Sequence, residues 1–139
     1  MEKIDVYIRR QPIYVTEGAT VRDVVRLMAS NNIGLVVVVD SRGAPVAVVS
    51  ERDVIRALDR GVGMDEKAVN IGTKGPLLTA KRGDDVYKVV KAMRERGIRH
   101  VVVLNDDGTL AGVVSIRDLI EDKALKAIGE KVWWPPPEE

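Results

Sequence analysis

Two tetrads, Ser50-Glu51-Arg52-Asp53 and Ser115-Ile116-Arg117-Asp118, stand 65 residues apart in this 139-residue chain. Each follows a valine pair, Val48-Val49 or Val113-Val114, and precedes a helical pattern. At a helix start, unpaired amides and a serine hydroxyl favour a phosphate or another anion. A carboxylate one turn in can accept both hydroxyls of a ribose, each charge-assisted bond being worth about 1.5–3 kcal/mol where water is excluded. Ser-x-x-Asp is also a capping-box spacing, and one aspartate can fill both roles. Arg52 and Arg117 adjoin the aspartates, but neighbouring helical residues point about 100° apart. Each therefore aims away from its own aspartate, toward the other copy's ligand or toward solvent. A further cationic pair, Arg99-His100, precedes the valine run of the second copy, where the first copy has Gly34-Leu35. Beside a cleft holding the tetrads, these cations become phosphate partners.

The remaining polar residues offer little chemistry. His100 is the single histidine and there is no cysteine. A histidine metal cluster, a disulfide framework and thiolate catalysis are therefore not expected. Asp84-Asp85 and Asp106-Asp107 fall at a helix start and in a turn, where aspartate is ordinary. No P-loop, Gly-x-Gly-x-x-Gly or Ser-His-Asp constellation occurs, so the expectation is a protein that is not an enzyme and has no catalytic cofactor. A net charge of +1 and 4% aromatic residues argue against nucleic acid. The longest apolar run, Leu35 to Val39, is too short for a bilayer, and the first residues lack a signal-peptide core. A soluble cytoplasmic protein without membrane contact is expected.

The elements that must position the tetrads are themselves repeated. Shifted by 65 positions, Val21–Ile55 falls on Val86–Ile120 without a gap, and fifteen of the 35 aligned pairs are identical. Each copy reads strand, helix, strand, strand, helix. Val21, Val24, Val25 and Met28 follow helical spacing behind a Thr20-x-x-Asp23 capping box, and Asn31-Asn32 ends that helix. Leu35 to Val39 has the continuous valine pattern of a strand covered on both faces. Asp40 to Gly43 and Asn105 to Gly108 are turns. Val54, Ile55 and Leu58 form the apolar side of the first copy's last helix, and the second copy's last helix starts at Asp118. One copy alone would bury a marginal core, so the halves are expected to share one and to pair about a pseudo-two-fold axis. The predicted layout is 6–61, a linker at 62–69, 70–126 and a Trp/Pro-rich tail at 127–139. Trp133 and Trp134 are expected to pack on the body or on a neighbouring subunit.

The pattern resembles a tandem pair of CBS (cystathionine β-synthase) domains, a Bateman module. Gly112-Val113-Val114-Ser115-Ile116-Arg117-Asp118 satisfies that family's glycine, two apolar, Ser/Thr, two residues, Asp signature, and Ala47 to Asp53 matches it with alanine for glycine. Gly97 to Val103 is similar to the second motif, with Val102 in place of its usual proline. Ile71-Gly72-Thr73 with Pro76, and Ile8 with Pro12, resemble the segments leading into each first strand. The resemblance implies an α/β (α+β) fold of two β-α-β-β-α repeats and a regulatory module that binds AMP, ADP or ATP, with AMP foremost. It implies Asp53 and Asp118 at the ribose, and Ser50 and Ser115 near the ribose phosphate. Arg52, Arg99, His100 and Arg117 would meet phosphates, and Thr73, Pro76, Ile98 and Val101 would border the base. It further implies a disc-like homodimer, open to an additional protein partner. The alternatives are an S-adenosylmethionine binder and a structural dimerisation module with vestigial clefts.

Overall fold

The computed structural model describes residues 2–120 of the chain. The first half contains β1 (Tyr14–Thr16), α1 (Val21–Asn31), β2 (Leu35–Val39), β3 (Pro45–Ser50) and α2 (Glu51–Asp59). The second contains β4 (Thr79–Lys81), α3 (Val86–Arg96), β5 (His100–Leu104), β6 (Leu110–Ser115) and a helical segment, α4, at 116–120. Each half forms a three-stranded sheet, β1-β2-β3 or β4-β5-β6, whose first pair is parallel and second antiparallel. The predicted strand-helix-strand-strand-helix order is therefore observed in both halves. The expected packing of Trp133 and Trp134, and the rest of the last helix, lie outside the described residues.

Local chemistry sets the helix limits. At α1, Thr20 accepts from the Asp23 amide at 3.2 Å while Asp23 accepts from the Thr20 amide at 2.9 Å, closing the predicted box. Asn32 then turns left-handed at φ 53°, and Gly97 ends α3 in the same conformation at φ 63°. Both suit a residue type that tolerates that region. α4 opens directly after Ser115, two residues before the predicted Asp118, because Ser115 is itself the cap.

Period-two alternation distributes the valines. Val36 and Val38 of β2 pack under the helices of the first half, while Val37 and Val39 face the second sheet. Val101 and Val103 of β5 join the second half's own core, while Val102 faces the first sheet. The shared layer also holds Leu35, Val48, Leu104, Leu110 and Val113. The halves thus share a sheet-to-sheet seam rather than one common core, because each already buries a helix-on-sheet cluster. Fully burying a valine contributes about 1.5–3 kcal/mol, so each cluster is a substantial source of stability. On α2 the buried residues are Val54 and Ala57, whereas Ile55 and Leu58 are exposed. Its apolar side therefore faces two ways, and the small Ala57 marks the face that approaches the sheet.

The halves also exchange segments. Ile4 and Tyr7, ahead of the first sheet, lie in the second half's core. The Ile4 amide donates to Asp84 O at 2.8 Å, and the Val86 amide donates to Glu2 O at 3.0 Å. Reciprocally, Ala68 and Ile71 lie in the first half's core, where the Val21 amide donates to Glu66 O at 2.8 Å and the Ala68 amide to Ala19 O at 2.9 Å. Each half is thus clasped by the stretch preceding the other half's first strand. This exchange carries residues 9–13 across the second half.

Candidate functional site

The register of the second sheet builds the site. β5 and β6 pair so that His100 stands opposite Ser115, and the Ile116 amide donates to Arg99 O at 2.8 Å. The Arg99-His100 pair is thereby fixed beside the start of α4. There Ser115 Oγ accepts from the Asp118 amide at 3.1 Å, and Asp118 Oδ2 accepts from the Ser115 amide at 2.8 Å. A carboxylate offers several acceptor positions over its two oxygens, so the cap leaves acceptor capacity for a ligand hydroxyl.

These groups line a cleft of about 460 Å³ at the seam between the halves. Ser115, Arg117, Asp118, Arg99 and His100 form one wall. The segment Arg9 to Ile13 forms a strap along it, and Asn32 to Leu35 with Glu51 close the side supplied by the first half. The volume is within the range of small-molecule sites. Arg9 Nη2 donates to Asp118 O at 3.2 Å, and Arg10 Nη1 donates to Asn31 O at 3.0 Å. The strap is thus tied at once to the α4 start and to the end of α1. Burial pushes the His100 pKa below 6.5 and Arg99 reinforces that shift, while Asp118 and Glu51 oppose it. His100 is accordingly held mainly neutral near pH 7, available to donate or accept one hydrogen bond.

The other predicted residues sit elsewhere. Ser50 and Asp53 form the same box at α2, with amide-to-acceptor distances of 2.9 and 3.1 Å, and Asp53 is half-buried. Leu35 stands opposite Ser50, as His100 does opposite Ser115. Arg52 is exposed on α2. Thr73 exchanges both backbone hydrogen bonds with Val48 of β3, at 2.8 and 3.0 Å, so it belongs beside Ser50 and not beside Asp118. Pro76 is exposed on the same connection and its carbonyl accepts from Arg96 at 2.8 Å. Ile98 is half-buried at the α3–β5 junction, whereas its counterpart Ile33 lines the Asp118 cleft. Val101 is 0% exposed within the second half's core, so its side chain faces the helices and only its backbone is left to border a ligand. Its neighbour His100 occupies the opposite face of β5, as alternation requires.

Sequence reasoning did not reach Arg9, Arg10, Gln11, Asn32 or Glu51. A weak signal existed. Pro12 matches Pro76 at a spacing of 64, which aligns Ile8 with Gly72 and continues the repeat upstream of its gap-free core with a one-residue slip. The strap 9–13 and the stretch Thr73–Leu77 are then counterparts across the pseudo-two-fold axis.

The CBS domain profile matches this chain twice, over residues 3–60 and 69–124. The chain belongs to the CBS domain family. Among solved CBS structures, the CBS domain protein PAE2072 from Pyrobaculum aerophilum, complexed with AMP, superimposes with a TM-score of 0.82. It is 37% identical, over 91% of this chain and 97% of that one. The CBS domain pair of protein MJ0100, complexed with 5-methylthioadenosine and S-adenosyl-L-methionine, gives a TM-score of 0.81 over 91% of this chain and 98% of that one, and at 21% identity supports the fold. An uncharacterized protein, MK0525, from Methanopyrus kandleri is 30% identical over 81% of this chain. The chain spans 58% of that relative's length, and 25% of the inosine-5'-monophosphate dehydrogenase of Chlorobaculum tepidum, to which it is 27% identical. CBS pairs therefore occur both as near-complete chains and within larger proteins.

Proposed function

We propose that this CBS pair is a non-catalytic regulatory module that binds an adenosine compound in the Asp118 cleft. One observation carries the reading: a capped helix start presents Ser115 and Asp118 to a seam cleft that also holds Arg99, His100 and Arg117. In this role Asp118 accepts the ribose hydroxyls, Ser115 lies at the ribose phosphate, and the three cations face the phosphate. The AMP complex of the 37% identical Pyrobaculum protein supports the choice of ligand class. Ser50, Arg52, Asp53, Thr73, Pro76 and Ile98 belong to a second cleft of the same plan. Binding at the seam changes how the halves sit, and so what a downstream partner meets.

The exposed apolar residues Ile55, Leu58 and Ile120 on the last helices of the two halves favour a homodimer. Light scattering of Ile55→Glu against the parent chain tests that association. Among the described residues no helix is long and apolar enough to cross a membrane, and a cytoplasmic location remains part of the proposal. Isothermal titration with AMP tests the ligand. Saturable heat, with amide shifts concentrated at residues 99–100 and 115–118, supports the reading. A flat titration removes it.

A further inference from the structure

A second hollow, of about 490 Å³, lies where the strap enters β1. It shares only Gln11 and Pro12 with the seam cleft. Tyr14 and Thr16 of β1 form one wall, on the strand face opposite Val15, which packs against the first half's core. The turn after β2 adds Asp40 and Ser41. Leu110 comes from the second half, and its amide donates to Gly43 O of that turn at 3.0 Å. Among the described residues lining this hollow there is no lysine or arginine, and Asp40 is the charged one. Tyr14 is 51% exposed, so its ring is open to a ligand.

The internal repeat shows that local structure does not require these two residues. Tyr14 pairs with Val37 as Thr79 pairs with Val102, so a threonine serves the same strand position in the second sheet. Asp40 corresponds to Asn105. The Asp40 amide donates to Ala44 O at 2.9 Å, and the Asn105 amide donates to Thr109 O at 2.8 Å. An uncharged side chain therefore holds the same turn. The mirrored positions of Thr16 and Ser41 are Lys81 and Asp106, so that face keeps a carboxylate but adds a cation. Arg42 belongs to the first turn but not to the lining; its amide donates to Asp40 Oδ1 at 2.8 Å.

We infer that this hollow is a second ligand site, for a small organic cation: an ammonium group on an apolar body. A cation over the Tyr14 ring is attracted by its quadrupole. Asp40 offers acceptor positions over two oxygens, so holding the turn and meeting an ammonium are compatible tasks. Pro12, Val39 and Leu110 give the apolar body its contact. An anion in the same space meets a carboxylate and no lining cation.

The test titrates the full chain, followed by amide NMR, with three probes that share a phenyl body. They are phenethylamine, phenethyl alcohol and phenylpropanoate. Phenethylamine is expected to give saturable shifts confined to residues 11–16, 39–43 and 109–110. The alcohol binds at least about threefold more weakly, and phenylpropanoate gives no shifts there. This comparison needs no variant. Asp40→Asn and Tyr14→Thr each import the residue of the mirrored position, and each lowers phenethylamine affinity at least about threefold. Equal binding of the three probes overturns the cation preference. Loss of affinity in neither variant overturns the assignment of Tyr14 and Asp40. Shifts that do not saturate, or that centre on residues 99–118, overturn the site.

Discussion

The two helix starts, Ser50–Asp53 and Ser115–Asp118, are nearly superimposable in their hydrogen bonding and very different in their surroundings. Both boxes close at 2.8–3.1 Å. In the second half Arg99, His100 and Ile116 flank Asp118, and at the same positions of the first half Gly34, Leu35 and Glu51 flank Asp53; all six line the one seam cleft. A Cβ at Gly34 would lie 2.6 Å from Glu51 Oε1, so the carboxylate takes up space beside the position where the second half has an arginine. The lesson is a division of labour inside one repeated sentence of sequence. Ser-x-x-Asp is retained by what a helix start needs. The flanking residues are free of that need and differ in charge between the halves.

The sharpest way to break this comparison is to remove the two carboxylates separately. Asp118→Ala is expected to weaken AMP binding about 100-fold, the loss of two hydrogen bonds to a charged acceptor at about 1.5 kcal/mol each. Asp53→Ala is expected to leave the tightest AMP site within about threefold, since titration there reports the basic cleft. Equal losses from the two variants would show that both clefts bind alike and that the charge asymmetry is idle.

A second contrast concerns the residue that opens each signature. Ala47 stands in the first half where Gly112 stands in the second. A Cβ at Gly112 would meet Ile8 Cγ2 at 2.8 Å. Ile8's counterpart, at the spacing of 64, is Gly72, which has no side chain to obstruct Ala47. The alanine is therefore accommodated by its partner rather than tolerated for its size alone. Gly112→Ala is expected to destabilise by about 1–3 kcal/mol. In a double-mutant cycle by urea denaturation, Ile8→Ala couples to it by at least about 0.5 kcal/mol. Strict additivity would show that Ile8 is not the obstacle.

These pairs also show what sequence alone could reveal. The helix starts, the turn glycines and the valine alternation are local, and reading them gave both sheets, the capping boxes of the two tetrads and five of the seven second-half residues that line the cleft. Val101 turns its side chain into the core, as alternation with His100 requires, and leaves only its backbone toward the site. Ile55 and Leu58 misled because they share helical spacing with Val54 and Ala57, and only tertiary contact decides which stripe faces the sheet. Arg9 and Arg10 were beyond reach. They approach Asp118 across more than a hundred residues, through a segment exchange driven by Ile4 and Tyr7, in a region where the repeat slips by one.

The capping role predicts sameness where the ligand role predicts difference. Ser50→Ala and Ser115→Ala each remove one side-chain acceptor from a helix start and are expected to cost about 1 kcal/mol apiece. Matching shifts in the thermal midpoint of the ligand-free protein would support equal structural use of the two boxes. A shift confined to one half would show that the other box is redundant.

The smallest effect isolates His100, which the first half replaces with Leu35. Burial lowers its pKa below 6.5, with Arg99 acting in the same direction and Asp118 and Glu51 against it. Well above pH 6.5 the folded and unfolded chains are both neutral at this residue, and its contribution to stability does not change. As pH falls below 6.5, the unfolded chain takes up a proton that the folded chain resists, so stability declines until the folded pKa is passed. The lowered carboxyl groups Asp23, Glu66 and Asp107 start from 3.8, 4.5 and 3.8, so their stabilisation is lost at lower pH. Thermal melts between pH 7 and about 5 therefore read His100. The parent chain should lose stability across that window and His100→Leu should lose less. A phosphate beside the imidazole favours its protonated form, so saturating AMP should flatten the parent's slope as well. A parent slope unchanged by both the substitution and the nucleotide would place the titrating group outside this cleft.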